Sequence, residues 1–171
     1  MAIRVREERK ADHAAVALIH EGAFGRPNEA RLVEALRRVA SPQISLVAEH
    51  DGSPLGHVFF SPVTVSGGRG ARRAIALAPV GVLPERQNQG IGSQLIRAGL
   101  EACRALGEPL VFVLGHVAYY PRFGFEPASR YGISSEYGSG PSFMVQALEP
   151  GALEGCTGLV RYHPEFAKAG S

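Results

Sequence analysis

Three long apolar runs, Ile44 to Ala48, Leu55 to Val65 and Ala74 to Val82, stand close together in the middle of the chain with turn-forming residues between them. Asp51-Gly52-Ser53-Pro54 separates the first two, and Ser66-Gly67-Gly68-Arg69-Gly70 separates the second from the third. Apolar runs flanking an Asp-Gly pair form a hairpin, because that dipeptide accepts the backbone angles of a tight connection. The spacing therefore predicts a meander of strands at the centre of the fold. Pro79 falls inside the third run. Proline has no N–H for a ladder, so a bulge or a splayed pair is expected there.

Other segments surround this meander. Ile3 to Arg6 alternates as a first strand. Ala14, Ala17, Leu18 and Ala23 set an apolar face on a helix over Ala11 to Phe24, with Asp12 at its positive end. Asn28 is placed to cap a second helix, since Leu32, Val33, Leu36 and Val39 follow at spacings of three and four. A third helix runs to about Leu106 and closes at Gly107. A buried strand follows over Pro109 to Leu114, then a turn or short helix over Tyr119 to Phe125. Residues 127–142, rich in Gly, Ser and Tyr, read as an irregular loop. Strands are expected at Phe143 to Leu148 and Gly158 to Tyr162. The order is mixed α/β, and 171 residues suit a single domain over 1–171.

Several functional classes fall away. The formal net charge is only +2, and the densest basic spots are the pairs Arg37-Arg38 and Arg72-Arg73, so no nucleic-acid partner is expected. Met1 to His13 is charged and lacks a signal peptide's apolar stretch. The longest apolar run, Ala74 to Leu83, falls short of the roughly 20 residues a membrane helix takes. Cys103 and Cys156 form no CxxC, and the six histidines show no HxH or HExxH spacing, so neither a disulfide framework nor a metal is expected. A cytoplasmic protein with no membrane contact is the expectation.

The segment Gln87-Asn88-Gln89-Gly90-Ile91-Gly92-Ser93 lies between the third strand and the third helix. A helix start offers unpaired N–H groups and a partial positive charge, and glycines let an anion approach the backbone. A phosphate is the natural ligand. The nucleoside-triphosphate loop requires Gly-Lys-Ser/Thr, whereas Gly92 is followed by Ser93-Gln94. The dinucleotide fingerprint requires a third glycine where this chain has Leu95. The segment instead resembles the coenzyme A pyrophosphate loop of the GNAT superfamily of N-acetyltransferases, Gln/Arg-x-x-Gly-x-Gly/Ala. A second stretch, Tyr119-Tyr120-Pro121-Arg122-Phe123-Gly124-Phe125, resembles that family's later motif, Phe/Tyr-Tyr-x-x-x-Gly-Phe, in the order and spacing the family uses. The likeness is nearest to the small bacterial YhbS-like branch.

The resemblance implies an α/β layered fold whose central mixed, mostly antiparallel sheet is splayed at the cofactor cleft and flanked by helices. It implies acetyl-CoA as co-substrate, with Val80, Gly81 and Val82 along the pantetheine arm. Main-chain amides from Gln89 through Gly90, Ile91 and Gly92 to Ser93 would hold the pyrophosphate, with Gln87 and Asn88 on the approach. Tyr120 matches the tyrosine that protonates the departing sulfur, a role suited to a phenol with a pKa of roughly 10. His116 falls where other members carry a cofactor-contacting Asn. Many members place a carboxylate on the central strand, where this chain has Ala76. The base therefore stays open among Glu21, Glu29, His57, His116 and a water chain. Cys103 fits an apolar helix face, so direct attack in a ternary complex is preferred to an acetyl-cysteine route. The acceptor, a small-molecule or peptide amine, would enter between Glu21 to Glu29 and residues 127–141. Phe24, Tyr131 and Tyr137 would supply apolar walls, while Arg130 would favour an acidic acceptor. A monomer or homodimer fits equally. The competing readings are a non-catalytic acyl-CoA sensor or interaction module, and a nucleotide-dependent oxidoreductase.

Overall fold

The computed structural model describes residues 2–68, 70–138 and 140–170. Residue 69 of the expected 66–70 loop and residue 139 of the 127–142 stretch lie outside the described residues. The meander forms as expected. Strands β1 (Arg4–Glu7), β2 (Ile44–His50), β3 (Ser53–Ser66) and β4 (Arg72–Val82) pair in sequence, all antiparallel. Asp51 and Gly52 both take positive φ, 48° and 80°, which is the tight hairpin geometry that the Asp-Gly pair signals.

Strand β3 reads as a continuous apolar run because both its faces are buried. Phe59 joins Val16, Leu32, Val33, Leu36 and Val47 in a core under α1 (His13–Phe24) and α2 (Asn28–Val39). Phe60 points the other way, among Ile75, Leu77, Val111 and the Leu95, Ile96, Leu100 and Cys103 face of α3 (Ile91–Ala105). Full burial of each such side chain stabilises the fold by roughly 1.5–3 kcal/mol.

The strand–helix–strand passage ends in β5 (Leu110–Leu114), which pairs parallel to β4 through Ile75–Val111, Ala76–Phe112 and Leu77–Val113, and no further. Parallel neighbours need a crossover, and α3 supplies it. One residue of β3, Phe59, faces two of β4, Ala78 and Pro79, so the proline sits in a bulge as its missing donor requires. Past Leu77, β4 keeps β3 on one side and diverges from β5 on the other. This is the splay on which the cleft is built.

The later chain departs from expectation. Residues 127–142 are not irregular throughout: they hold a 3-10 turn at Ala128–Tyr131 and strand β7 (Ile133–Ser135). The short β6 (Glu126–Pro127) precedes them, and β8 (Phe143–Ala147) pairs with both β5 and β6. Strand β9 (Gly158–Arg161) pairs antiparallel with the end of β3 and parallel with β7. A short α4 (Glu165–Ala169) follows. Asn28 does not cap α2. It is the first helical residue after Pro27, and its side-chain amide donates to Ala169 O at 2.7 Å, tying α4 to α2. Asp12 ends a 3-10 turn before α1 and accepts two bonds from Arg6, at 2.8 and 3.0 Å. Among the described residues the sheet runs β1-β2-β3-β4-β5-β8-β6, with β9 and β7 added beyond β3. It is mixed, mostly antiparallel and flanked by helices. None of the described helices is long and apolar enough to cross a membrane.

Candidate active site

A cleft of about 920 Å³ opens where β4 and β5 diverge. Pro79, Val80, Gly81 and Val82 form one wall, and Leu114, Gly115 and His116 form the other. The start of α3 closes one end. Gly90 precedes the helix with φ 83°, a left-handed angle that costs a side chain about 1–2 kcal/mol and costs glycine almost nothing. The chain thereby turns sharply from Gln87 to Ile91 and leaves the first amides of α3 at the cleft. A Cβ built on Gly90 would meet nothing within 4 Å, so the space over the loop is open.

The structure brings together in this one cleft Val80, Gly81, Val82, Gln87, Asn88, Gly90, Ile91, Gly92, Ser93, His116 and Tyr120. Gln89 alone of the expected set is not on its lining. The Gln87 side chain donates to Val82 O at 3.0 Å and braces the end of β4 against the loop. Tyr119 is also on the lining, and its hydroxyl lies 3.2 Å from Ser93 Oγ. That places the Tyr119 phenol at the glycine loop. Tyr120 is 6% exposed and packs edge-on to Tyr119 and Phe125. Burial, with Tyr119 adding to it, pushes the Tyr120 phenol up to about 12, so it carries its proton throughout the neutral range.

Two cationic residues went unanticipated. Arg86, next to the glycine loop, and Arg122, inside the tyrosine motif, both line the cleft. The Arg122 guanidinium stands 5.2 Å from the Tyr119 ring centroid. The signal available in sequence was their position beside each motif, since a polyanion at Gly90 calls for nearby positive charge.

The candidate bases separate. Glu21 is exposed on α1 and off the cleft lining. Glu29 is on the lining, but its carboxylate takes bonds of 2.6 and 3.0 Å from Arg26. Partial burial pushes its pKa up, and Arg26 more than offsets this, leaving it below the usual carboxylate range. His57 is fully buried and away from the cleft lining. Its Nδ1 lies 2.8 Å from His20 Nε2, a partner that the sequence did not announce. Ala76 is fully buried beside Phe112 in the sheet interior. Cys103 is fully buried, and burial followed by Glu108 pushes its thiol up to about 12, the opposite of an activated nucleophile. No group of three or more His, Cys, Asp or Glu among the described residues is arranged to hold a metal ion.

A second cavity of about 260 Å³ continues across the splay, sharing Glu29, Leu32, Ala78, Leu114 and Phe166 with the first. Tyr137 and Tyr162 line it. Phe24 lines the larger cleft. Tyr131 and Arg130 line neither cavity; both interact with Glu126, at 2.6 and 3.2 Å.

Comparison with known proteins agrees with this architecture. Residues 4–128 match the family model described as the acetyltransferase (GNAT) domain. The uncharacterized N-acetyltransferase YjhQ of Escherichia coli (strain K12) is 42% identical over 122 residues, 70% of this chain and 67% of that protein. The uncharacterized N-acetyltransferase YhbS of the same strain is 35% identical over 164 residues, 95% of this chain and 97% of that protein. The crystal structure of Escherichia coli YhbS in complex with CoA superposes with a TM-score of 0.88 at 33% identity, covering 96% of this chain and 92% of that one. A GNAT family acetyltransferase from Brucella melitensis in complex with acetyl-CoA gives a TM-score of 0.79 at 37% identity, covering 96% and 98%. With the splayed sheet, the glycine loop and the tyrosine motif meeting in one cleft, the chain belongs to the GNAT family of acyl-CoA-dependent N-acetyltransferases.

Proposed function

We propose that this chain transfers an acetyl group from acetyl-CoA to a primary amine by direct attack within a ternary complex. The carrying observation is the continuity of the cleft, which joins the amide-lined turn at Gly90 to the Tyr120 phenol along the unpaired side of β4. In this reading the amides from Gly90 to Ser93 bind the diphosphate, with the positive end of α3 behind them. Arg86 and Arg122 supply charge at the same end of the cleft. The main chain of Val80 to Val82 pairs with the pantetheine amides, taking the place of the missing strand. Tyr120 donates to the departing sulfur. The apolar surroundings that raise its own pKa also raise that of a buried thiolate, so acid and leaving group move together.

The amine enters from the smaller cavity, past Tyr137, Tyr162 and Phe166, and meets the thioester where Ala78 and Leu114 part. The chain works in solution as a monomer or a homodimer, without nucleic acid or membrane.

Incubation with acetyl-CoA and a panel of amines, followed by release of free thiol, tests this reading. Thiol release that depends on one class of amine is expected. Tight acetyl-CoA binding with no turnover on any amine would instead make the protein an acyl-CoA sensor, a role compatible with the buried Ala76 at the position of the customary carboxylate. Tyr120→Phe should cut kcat by about 10²–10⁴-fold while acetyl-CoA binding changes little, the usual size of a lost proton donor.

A further inference from the structure

A chain of four buried or nearly buried side chains runs from the segment after β1 to the cleft wall, and its hydrogen bonds fix one direction. Glu8 accepts bonds of 2.7 and 3.0 Å from Arg37, so it is an ionised acceptor. Ser45 Oγ donates its single proton to Glu8 Oε1 at 2.9 Å. Ser45 can then only accept from His57 Nε2, 2.8 Å away, which places the His57 proton on Nε2. His57 is fully buried, and desolvation holds its pKa well below the usual value, so the ring is neutral and Nδ1 is bare. That bare nitrogen accepts from His20 Nε2 at 2.8 Å. His20 is likewise fully buried and held down to about 4, mainly by desolvation. Its remaining nitrogen, Nδ1, is therefore an unprotonated lone pair, and it is buried with no hydrogen-bond partner. It points at Gly81: a Cβ built there would stand 2.8 Å from it. Gly81 lines the cleft, as does Ala23 beside the same ring.

We propose that His20 Nδ1 is the proton acceptor of the transfer reaction, oriented and kept bare by the His57–Ser45–Glu8 chain. This deepens, and rests on, the acetyltransferase reading above. As the amine nitrogen bonds to the acyl carbon and the carbon–sulfur bond breaks, one N–H proton leaves by way of water at the cleft wall to Nδ1. His20 passes its Nε2 proton to His57 Nδ1, His57 passes its own to Ser45, and Ser45 passes its own to Glu8. No ring holds two protons at rest, which suits rings whose burial disfavours imidazolium. The proton leaves Glu8 to solvent by way of water beside His13, whose Nε2 lies 3.9 Å from the carboxylate and whose side chain is 39% exposed. Tyr120 gives its proton to the sulfur. The chain then runs in reverse: Glu8 takes a proton back from solvent, and His20 Nδ1 releases one through cleft water to the Tyr120 phenolate. This restores both ring tautomers and balances the turnover. The charged or titratable groups that bear on the two rings are Glu29 and Arg37 of α2, His13 of α1, Asp12 and Glu8.

Two measurements test this. The first is ¹⁵N NMR of the histidine rings in the unliganded wild-type protein. A protonated Nε2 and bare Nδ1 are expected on both His20 and His57, with Glu8→Gln disturbing both; a proton on His20 Nδ1 overturns the proposal. The second is the pH profile of kcat with the amine identified by the thiol-release screen. His20→Phe keeps a ring but removes both nitrogens. It should lower kcat about 10²–10⁴-fold at pH 7. The loss should narrow as rising pH deprotonates the amine in solution, with acetyl-CoA affinity within about threefold of wild type. Ser45→Ala, a smaller change for use if His20→Phe fails to fold, should flatten the same limb. Wild-type rates and profile in either folded variant overturn the relay alone. A wild-type protein that acetylates no amine overturns the parent reading and the base role with it, while the NMR result still reports the polarity of the chain.

Discussion

Gly81 offers a sharp test of the contact between the cleft wall and the buried histidine pair. It lies in β4 outside the left-handed region, so nothing in its backbone opposes a side chain. Alanine there gains about 0.4–1 kcal/mol through the unfolded state. The new Cβ, however, would sit 2.8 Å from His20 Nδ1, 3.2 Å from His20 Cε1 and 3.4 Å from Ala23 Cβ. The His20 ring cannot simply swing away, because it stacks on Phe24 and is bonded to His57. Overpacking of this kind costs about 1–3 kcal/mol, which exceeds the gain. Gly81→Ala should therefore destabilise by about 1–2 kcal/mol, a fall in Tm of roughly 2–8 °C for a chain of this length. In a His20→Ala background the obstruction is gone, and the same substitution should become neutral or stabilising. Thermal unfolding of the four proteins in a double-mutant cycle reads the coupling directly, expected at about 1–3 kcal/mol. An equal loss in both backgrounds, or none in the first, would refute the packing argument.

Three further outcomes follow from other parts of the molecule. Gly90→Ala forces a side chain into φ 83° and should cost about 1 kcal/mol of stability, with acetyl-CoA affinity by calorimetry falling as the turn relaxes. Arg6 bonding, working against burial, holds the Asp12 carboxyl down to about 2 from 3.8. A depressed carboxylate stabilises above its unfolded pKa and loses that contribution as pH falls from about 4 towards 2, roughly 1–2 kcal/mol after allowance for solvent. Urea unfolding at pH 6 and pH 2.5 should show this loss, and Asp12→Asn should reduce the difference by about that amount. Asn28→Ala deletes the bond to Ala169 O and should cost about 0.5–1.5 kcal/mol, with proteolysis reaching the α4 segment sooner.

The strands from Ile44 to Val82 and helices α2 and α3 were legible because local pattern and burial largely agree. Helix α1 was legible as a helix but not in its face, since Val16, Ile19 and His20 are buried while Ala14 and Leu18, expected on the apolar side, are exposed. The bulge at Pro79 was legible for the same reason, since a missing donor has one local consequence. Ile133-Ser134-Ser135 was not, because its three-residue ladder is made with β9, some 25 positions on. Asn28 misled for a related reason: its amide satisfies a carbonyl 141 residues away instead of its own helix. The glycine loop and Tyr120 were readable as motifs, whereas the meeting of His20 with His57 was not. Those rings are 37 residues apart on a helix and a strand, and no periodicity encodes that they touch.

The divergence of β4 from β5 has a price outside catalysis. An exposed row of strand amides invites intruding peptides and, through them, aggregation. That row begins at Ala78-Pro79, where a proline withholds one donor and the bulge interrupts the regular register. A stray polypeptide therefore finds a broken rail, while a flexible, narrow guest with few amides of its own still finds enough. The same irregularity that admits one molecule works as a guard against self-association.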